Sequence, residues 1–106
     1  MLLERGADID KARDSGATPL IIASQQGHGD VVRVLLKQGA DIDKALDDGC
    51  TPLFIASQNG HVEVVRVLVE QGADFKKTWN GVTALQIATR KSHTEIIHLL
   101  ELAAQV

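Results

Sequence analysis

At 106 residues the chain has room for about one domain, and 14 Asp and Glu against 11 Lys and Arg leave a net charge of −3, which gives no electrostatic footprint for a polyanion such as nucleic acid. A single cysteine, Cys50, cannot form an internal disulfide or supply a multi-cysteine metal site, so a reducing, intracellular and cytoplasmic setting is expected. Glu4 and Arg5 interrupt the apolar start Met1-Leu2-Leu3 at once, and no apolar run reaches the length of a membrane span, so no membrane role is expected.

Two motifs recur at one spacing. Thr18-Pro19-Leu20 returns as Thr51-Pro52-Leu53, and Gly39-Ala40-Asp41 returns as Gly72-Ala73-Asp74, in both cases 33 residues on. A period of that length is the mark of a repeat array rather than of one globular core. Residues 1–12 read as the tail of a repeat, 13–45 and 46–78 as two full repeats with about two-thirds of their positions identical, and 79–106 as a divergent, capping repeat of the same single domain. With no Tyr, one Trp and two Phe, the core must be aliphatic, which suits thin stacked layers.

In chain order, the first helix of the first full unit is announced by Thr18 as N-cap and Pro19 at the first helical position, where a missing N–H costs nothing. It is expected to run from Pro19 to about Gln26 and to stop at Gly27. A second helix follows from about Asp30 to Gln38, with an acidic residue at its start and Lys37 at its end to complement the helix dipole, and with Gly39 as its stop. A polar, turn-rich finger then occupies Gly39 to Gly49.

The next unit copies the plan, with helices expected over Pro52 to Asn59 and Glu63 to Gln71. Val64-Val65-Arg66-Val67-Leu68-Val69 has strand-like composition, but it lies at helical length between an acidic start and a glycine stop, and its apolar residues cover more than one stripe, as a helix sandwiched between layers requires. In the last unit Ala84 and Ser92 stand where Pro and Gly are expected, which weakens both helix signals. The last finger is one residue shorter, so its tip is expected to differ and to carry Trp79.

Gly16-Ala17-Thr18-Pro19-Leu20, Gly27-His28 and Gly39-Ala40-Asp41, repeated as Gly49-Cys50-Thr51-Pro52-Leu53, Gly60-His61 and Gly72-Ala73-Asp74, together resemble the ankyrin repeat over essentially the whole chain. The resemblance implies an all-α fold, a solenoid of stacked antiparallel helix pairs with projecting, β-hairpin-like fingers. It implies a noncatalytic module for protein–protein interaction, without cofactor or metal. The family's usual His after Thr-Pro-Leu is replaced by Ile21, Phe54 and Gln86, so its hydrogen bonds must be replaced or absent. The asparagine of the family's loop is Asp10, Asp43 and Lys76 here, so the resemblance does not extend to the asparagine hydroxylation known there.

Several recurring residues invite chemistry. His28, His61 and His93 suggest a metal ladder, but residues one layer apart are separated by about 10 Å, far more than ligands of one zinc allow, so bonding of each imidazole to loop backbone is the better reading. Asp8, Asp41 and Asp74 each lie without the alternating oxygen ligands of a calcium loop and are read as turn stabilisers. Cys50, beside Asp47 and Asp48, is read as an inert thiol of raised pKa. No Ser-His-Asp, Cys-His or paired-carboxylate set suggests catalysis, and Gly27-His28-Gly29 lacks the rest of a phosphate-binding signature.

The resemblance implies a partner-binding groove made by the finger tips and the exposed side of each first helix. Carried over by motif position it comprises Asp14, Ser15, Ala17, Gln25 and Gln26; then Asp47, Asp48, Cys50, Gln58 and Asn59; then Trp79, Asn80, Val82, Arg90 and Lys91. Charge runs along it from acidic to basic, a gradient that orients a partner. Trp79 is either the anchor of that groove, in which case alanine at Trp79 together with Arg90 and Lys91 abolishes partner capture without lowering the melting temperature, or a cap on the end of the stack, and the sequence does not separate the two. A second function, as a structural or assembly segment of a longer array, follows from Met1-Leu2-Leu3-Glu4-Arg5-Gly6 aligning with the end of a second helix. An uncapped N-terminal edge of that kind predicts a monomer or weak self-association through the ends.

Overall fold

The computed structural model describes residues 9–105. The partial repeat over 1–12, including Asp8 and the motif from Met1 to Gly6, therefore falls largely outside the described residues. Among the described residues six α-helices form three antiparallel pairs: α1 (Pro19–Gln26) with α2 (Gly29–Lys37), α3 (Pro52–Asn59) with α4 (Val62–Glu70), and α5 (Ala84–Arg90) with α6 (Thr94–Ala104). The first helices pack in the order α1, α3, α5 and the second helices in the order α2, α4, α6, giving two layers and an elongated body of 40 × 24 × 23 Å.

Local chemistry sets each boundary. The hydroxyls of Thr18 and Thr51 accept the amides of Ile21 and Phe54 at 3.1 Å, the N-cap arrangement that satisfies one of the orphan donors of a helix start. Gly27 and Gly60 close α1 and α3 in the left-handed conformation, φ 79° and 77°. The second helices begin and end one residue earlier than the sequence suggests. Their starts are set by His28 and His61, which occupy the cap position without using their side chains to cap.

The third pair corrects one expectation. The missing proline and glycine do not leave α5 weakly marked, because Thr83 and Gln86 form a capping box: the Thr83 hydroxyl accepts from Gln86 N at 3.1 Å and Gln86 Oε1 accepts from Thr83 N at 2.9 Å. Gln86 thus does new work at the position where Ile21 and Phe54 are simply buried. Ser92 adopts the left-handed backbone expected of glycine, φ 61°.

The core is aliphatic and continuous through all three pairs. Leu20, Val32, Leu35, Leu53, Val64, Val65, Leu68, Ile96 and Leu100 are buried in one cluster, and covering each such side chain is worth roughly 1.5–3 kcal/mol. In α4 Val64, Val65, Val67 and Leu68 are all buried, so packing on both sides of the helix overrides the strand preference of its valines. A second, smaller cluster joins the fingers to the first helices: Cys50, Phe54, Ile55 and Ile87 are buried, and Leu46, Trp79 and Val82 pack on them half-covered.

Candidate functional site: the finger and first-helix face

The three fingers are built in two ways. In the first, Arg13 N donates to Ala17 O and Gly16 N to Arg13 O; in the second, Leu46 N donates to Cys50 O and Gly49 N to Leu46 O, so both reverse the chain over three residues. The third is a true hairpin, β1 (Thr78–Trp79) against β2 (Val82–Thr83), with Thr78 opposite Thr83 and Trp79 opposite Val82. Its turn is Asn80-Gly81, both at positive φ (52° and 77°), the requirement of a two-residue type I′ turn. The missing residue is therefore the difference between a three-residue and a two-residue reversal.

That geometry moves Trp79 off the tip. It pairs across the hairpin at the place Leu46 holds in the second finger, and its ring lies on Phe54 with centroids 5.3 Å apart and planes at 53°. Its Nε1 is buried without a hydrogen-bond partner. A residue so packed contributes to stability, which favours the packing reading of Trp79 over that of a thermally silent anchor. Asn80, exposed, holds the tip instead.

Cys50 is corrected as well. It is 5% exposed and so cannot serve as a surface contact of the groove. Its backbone reversal faces the side chain inward onto Phe54 and Ile55. Burial first, and the Asp48 charge second, push the thiol up to about 11. Asp48 bends back to accept Cys50 N at 3.0 Å, so the carboxylate that repels the thiolate also holds the finger.

Of the remaining groove residues, Asp14, Ser15, Gln25, Gln26, Asp47, Asn59, Arg90 and Lys91 are exposed, while Ala17, Gln58 and Val82 are half-covered. The fingers are held to each other, Asp47 N donating to Ser15 O at 2.9 Å. Successive first helices are held by side chains reaching back one unit: Gln25 O accepts from His61 Nε2 at 2.9 Å and from Asn59 Nδ2 at 3.3 Å, and Gln58 O accepts from His93 Nε2 at 3.1 Å. Because a carbonyl only accepts, Nε2 carries the proton in both imidazoles. His61 and His93 are thus cross-repeat struts, reaching carbonyls in the last turns of α1 and α3 rather than loop backbone, while the imidazole of His28 makes no hydrogen bond among the described residues.

The aspartates act in the same way. Asp41 and Asp74 each accept the amide two residues on, at 3.0 and 2.9 Å, and Asp10 and Asp43 each accept the amide of the next unit, Asp41 N and Asp74 N, at 3.0 Å. Among the described residues no group of three or more His, Cys, Asp or Glu lies close enough to hold a metal ion.

One feature of this face was not legible from spacing. Where Leu46 and Cys50, or Trp79 and Val82, fill the angle between finger and first helix, the first unit has Arg13 and Ala17, and a hollow of about 370 Å³ opens there, lined by Arg13, Asp14, Ala17 and Ile22. Ile22 recurs as Ile55 and Ile87, which marks it as scaffold; here it is half-covered, with Arg13 and Ala17 on the finger opposite in place of bulkier apolar side chains. The ion pairs of the described residues, Arg33 to Glu63 at 2.9 Å and Arg66 to Glu63 at 3.9 Å, lie on the second-helix layer. The charges of the finger face, Asp14, Asp47, Asp48, Arg90 and Lys91, form none among those residues.

Comparison with known proteins agrees with this architecture. A family model described as ankyrin repeats in three copies matches residues 1–45 and 39–106. Over 31 residues the chain is 58% identical to the potassium channel AKT1 of Oryza sativa subsp. indica, and it has the same identity over the same length to that of subsp. japonica. The aligned stretch is 29% of this chain and spans 3% of the length of either channel.

Proposed function

The chain belongs to the ankyrin-repeat family, and from that premise we propose that it is an intracellular, cytoplasmic binding module that holds a protein partner against its finger tips and first helices. Ankyrin repeats are generally noncatalytic modules for protein–protein interaction. No helix among the described residues is long and apolar enough to cross a membrane.

The observation that carries the reading is the set of exposed, unpaired charges on the finger face, carboxylates on the first two fingers and Arg90-Lys91 at the end of α5. Unpaired charge on a backbone pinned by cross-repeat hydrogen bonds favours recognition, since little ordering entropy is lost when a partner binds. The hollow beside Ile22 offers the apolar contact such a site needs, and the half-covered Trp79 and Val82 offer another at the opposite end.

The test is affinity capture from a lysate of the source cells with a quadruple variant, Asp47→Ala, Asp48→Ala, Arg90→Ala and Lys91→Ala. A control carries Lys37→Ala and Glu70→Ala on the second-helix layer. Loss of the captured protein in the first and retention in the second, at equal melting temperature, supports the groove. Retention in the first overturns it.

A further inference from the structure

We infer that the stack is one-way: its N-terminal face is built to receive a further helix pair of this same repeat pattern, while Ser92 and Lys76 make its C-terminal face refuse one. The argument rests on what each interior junction requires, and it shares only Ile22 with the partner-binding reading.

Two junctions are visible, α1 against α3 and α3 against α5. Each requires that an imidazole from the later unit sit against the glycine that ends the earlier first helix. A Cβ at Gly27 would lie 2.6 Å from His61 Nδ1, and one at Gly60 would lie 2.9 Å from His93 Cε1. Glycine is thus needed twice over, for the left-handed backbone and for the room. Each junction also has a carboxylate, Asp10 or Asp43, that accepts the backbone amide of the aspartate in the next unit's Gly-Ala-Asp, Asp41 or Asp74.

At the C-terminal face both requirements fail. Ser92 keeps the left-handed backbone, φ 61°, but brings the Cβ that the imidazole of an added unit would strike. Lys76 stands at the place of Asp10 and Asp43, and an ammonium accepts nothing. An apolar hollow lined by Phe75, Leu85 and Leu100 remains there, so hydrophobic surface alone does not decide the matter.

At the N-terminal face the receiving half of the junction is intact. Pro52, Ile55 and Val64 are buried one unit on, whereas their equivalents Pro19, Ile22 and Val31 are only half-covered and line an open hollow. His28 occupies the place of His61 and His93 but is exposed, and its imidazole makes no hydrogen bond among the described residues. The face continues the interface that α3 presents to α1, and its occupant is a first helix that offers a backbone carbonyl and ends in left-handed glycine.

The experiment extends the full chain by one unit at either end. A copy of residues 46–71 in place of residues 1–5 presents Gln58 and Gly60 to His28; a copy of residues 39–71 placed after Ala103 presents His61 to Ser92. In a nearest-neighbour stack a docked unit adds an interface and raises the urea midpoint of the whole. The N-terminal extension is expected to raise it, with amide protection in the added first helix within about tenfold of that in α3. The C-terminal extension is expected to leave the midpoint unchanged and its added helix unprotected, and Ser92→Gly with Lys76→Asp is expected to dock it. Each substitution is also measured in the unextended chain to separate its own effect. A C-terminal unit that docks without the substitutions, or fails to dock with them, overturns the refusal; an N-terminal unit that stays unprotected overturns the acceptance.

Discussion

Replacing Trp79 by alanine separates a packing residue from a surface anchor. The ring is half-covered and lies 5.3 Å from that of Phe54. A buried Trp covers about 200 Å², so a half-covered one loses roughly 100 Å² of burial on truncation, or about 2.5 kcal/mol at 25 cal/mol per Å². Loss of the aromatic pair adds about 1 kcal/mol, and removal of the buried, unpartnered Nε1 returns about 1 kcal/mol. The expected net cost is about 2–3 kcal/mol, a fall of roughly 10–20 °C in melting temperature for a domain of this size. Urea and thermal unfolding should be followed by circular dichroism at 222 nm, since the substitution removes the chain's only Trp. Trp79→Phe keeps a ring on Phe54 and removes the orphaned donor, so it should stay within about 1 kcal/mol of the parent. Unchanged stability in Trp79→Ala would refute the reasoning and return Trp79 to the surface. A Phe variant as unstable as the Ala variant would mean that the indole N–H has a partner.

Three further outcomes follow from named contacts. Gly60→Ala should cost more than Gly72→Ala: both glycines have positive φ, worth about 1 kcal/mol, but only the first would drive a Cβ into the His93 ring, and a double-mutant cycle with His93→Ala should recover that excess. Thr83→Ala removes the capping box of α5 and should cost about 1 kcal/mol in urea unfolding, with Thr83→Ser largely restoring it. Cys50 has a folded-state pKa above its unfolded value, so the folded chain holds the proton longer; stability should fall as pH rises from about 9 to about 11, and Cys50→Ala should flatten that slope. An equal slope in the alanine variant would contradict the burial of the thiol.

What the sequence revealed and what it hid have separate physical causes. Helix boundaries were legible because they are decided locally, by Thr-Pro starts and glycine stops, and α1 and α3 run as those signals dictate. The roles of His61 and His93 were legible because a residue that recurs with the period does the period's work, here a strut to Gln25 O and Gln58 O. Side-chain direction within the fingers was not. Whether Cys50 or Trp79 faces in or out depends on which residues pair across each reversal, and the pairs Leu46 with Cys50 and Trp79 with Val82 appear only once the turn length is fixed. The Asn80-Gly81 signal for a two-residue hairpin was present in the sequence, and it alone could have moved Trp79 from tip to strand. The hollow beside Ile22 had no signal of its own, because it arises from small or flexible residues opposite a recurrent isoleucine.

The central claim is that the finger and first-helix face is where a protein partner binds. Hydrogen–deuterium exchange of the chain with and without its captured partner tests it most directly. Slowed exchange is predicted over residues 14–17, 25–27, 47–49 and 90–92, with α2, α4 and α6 unaffected. A footprint confined to the second-helix layer would contradict the account.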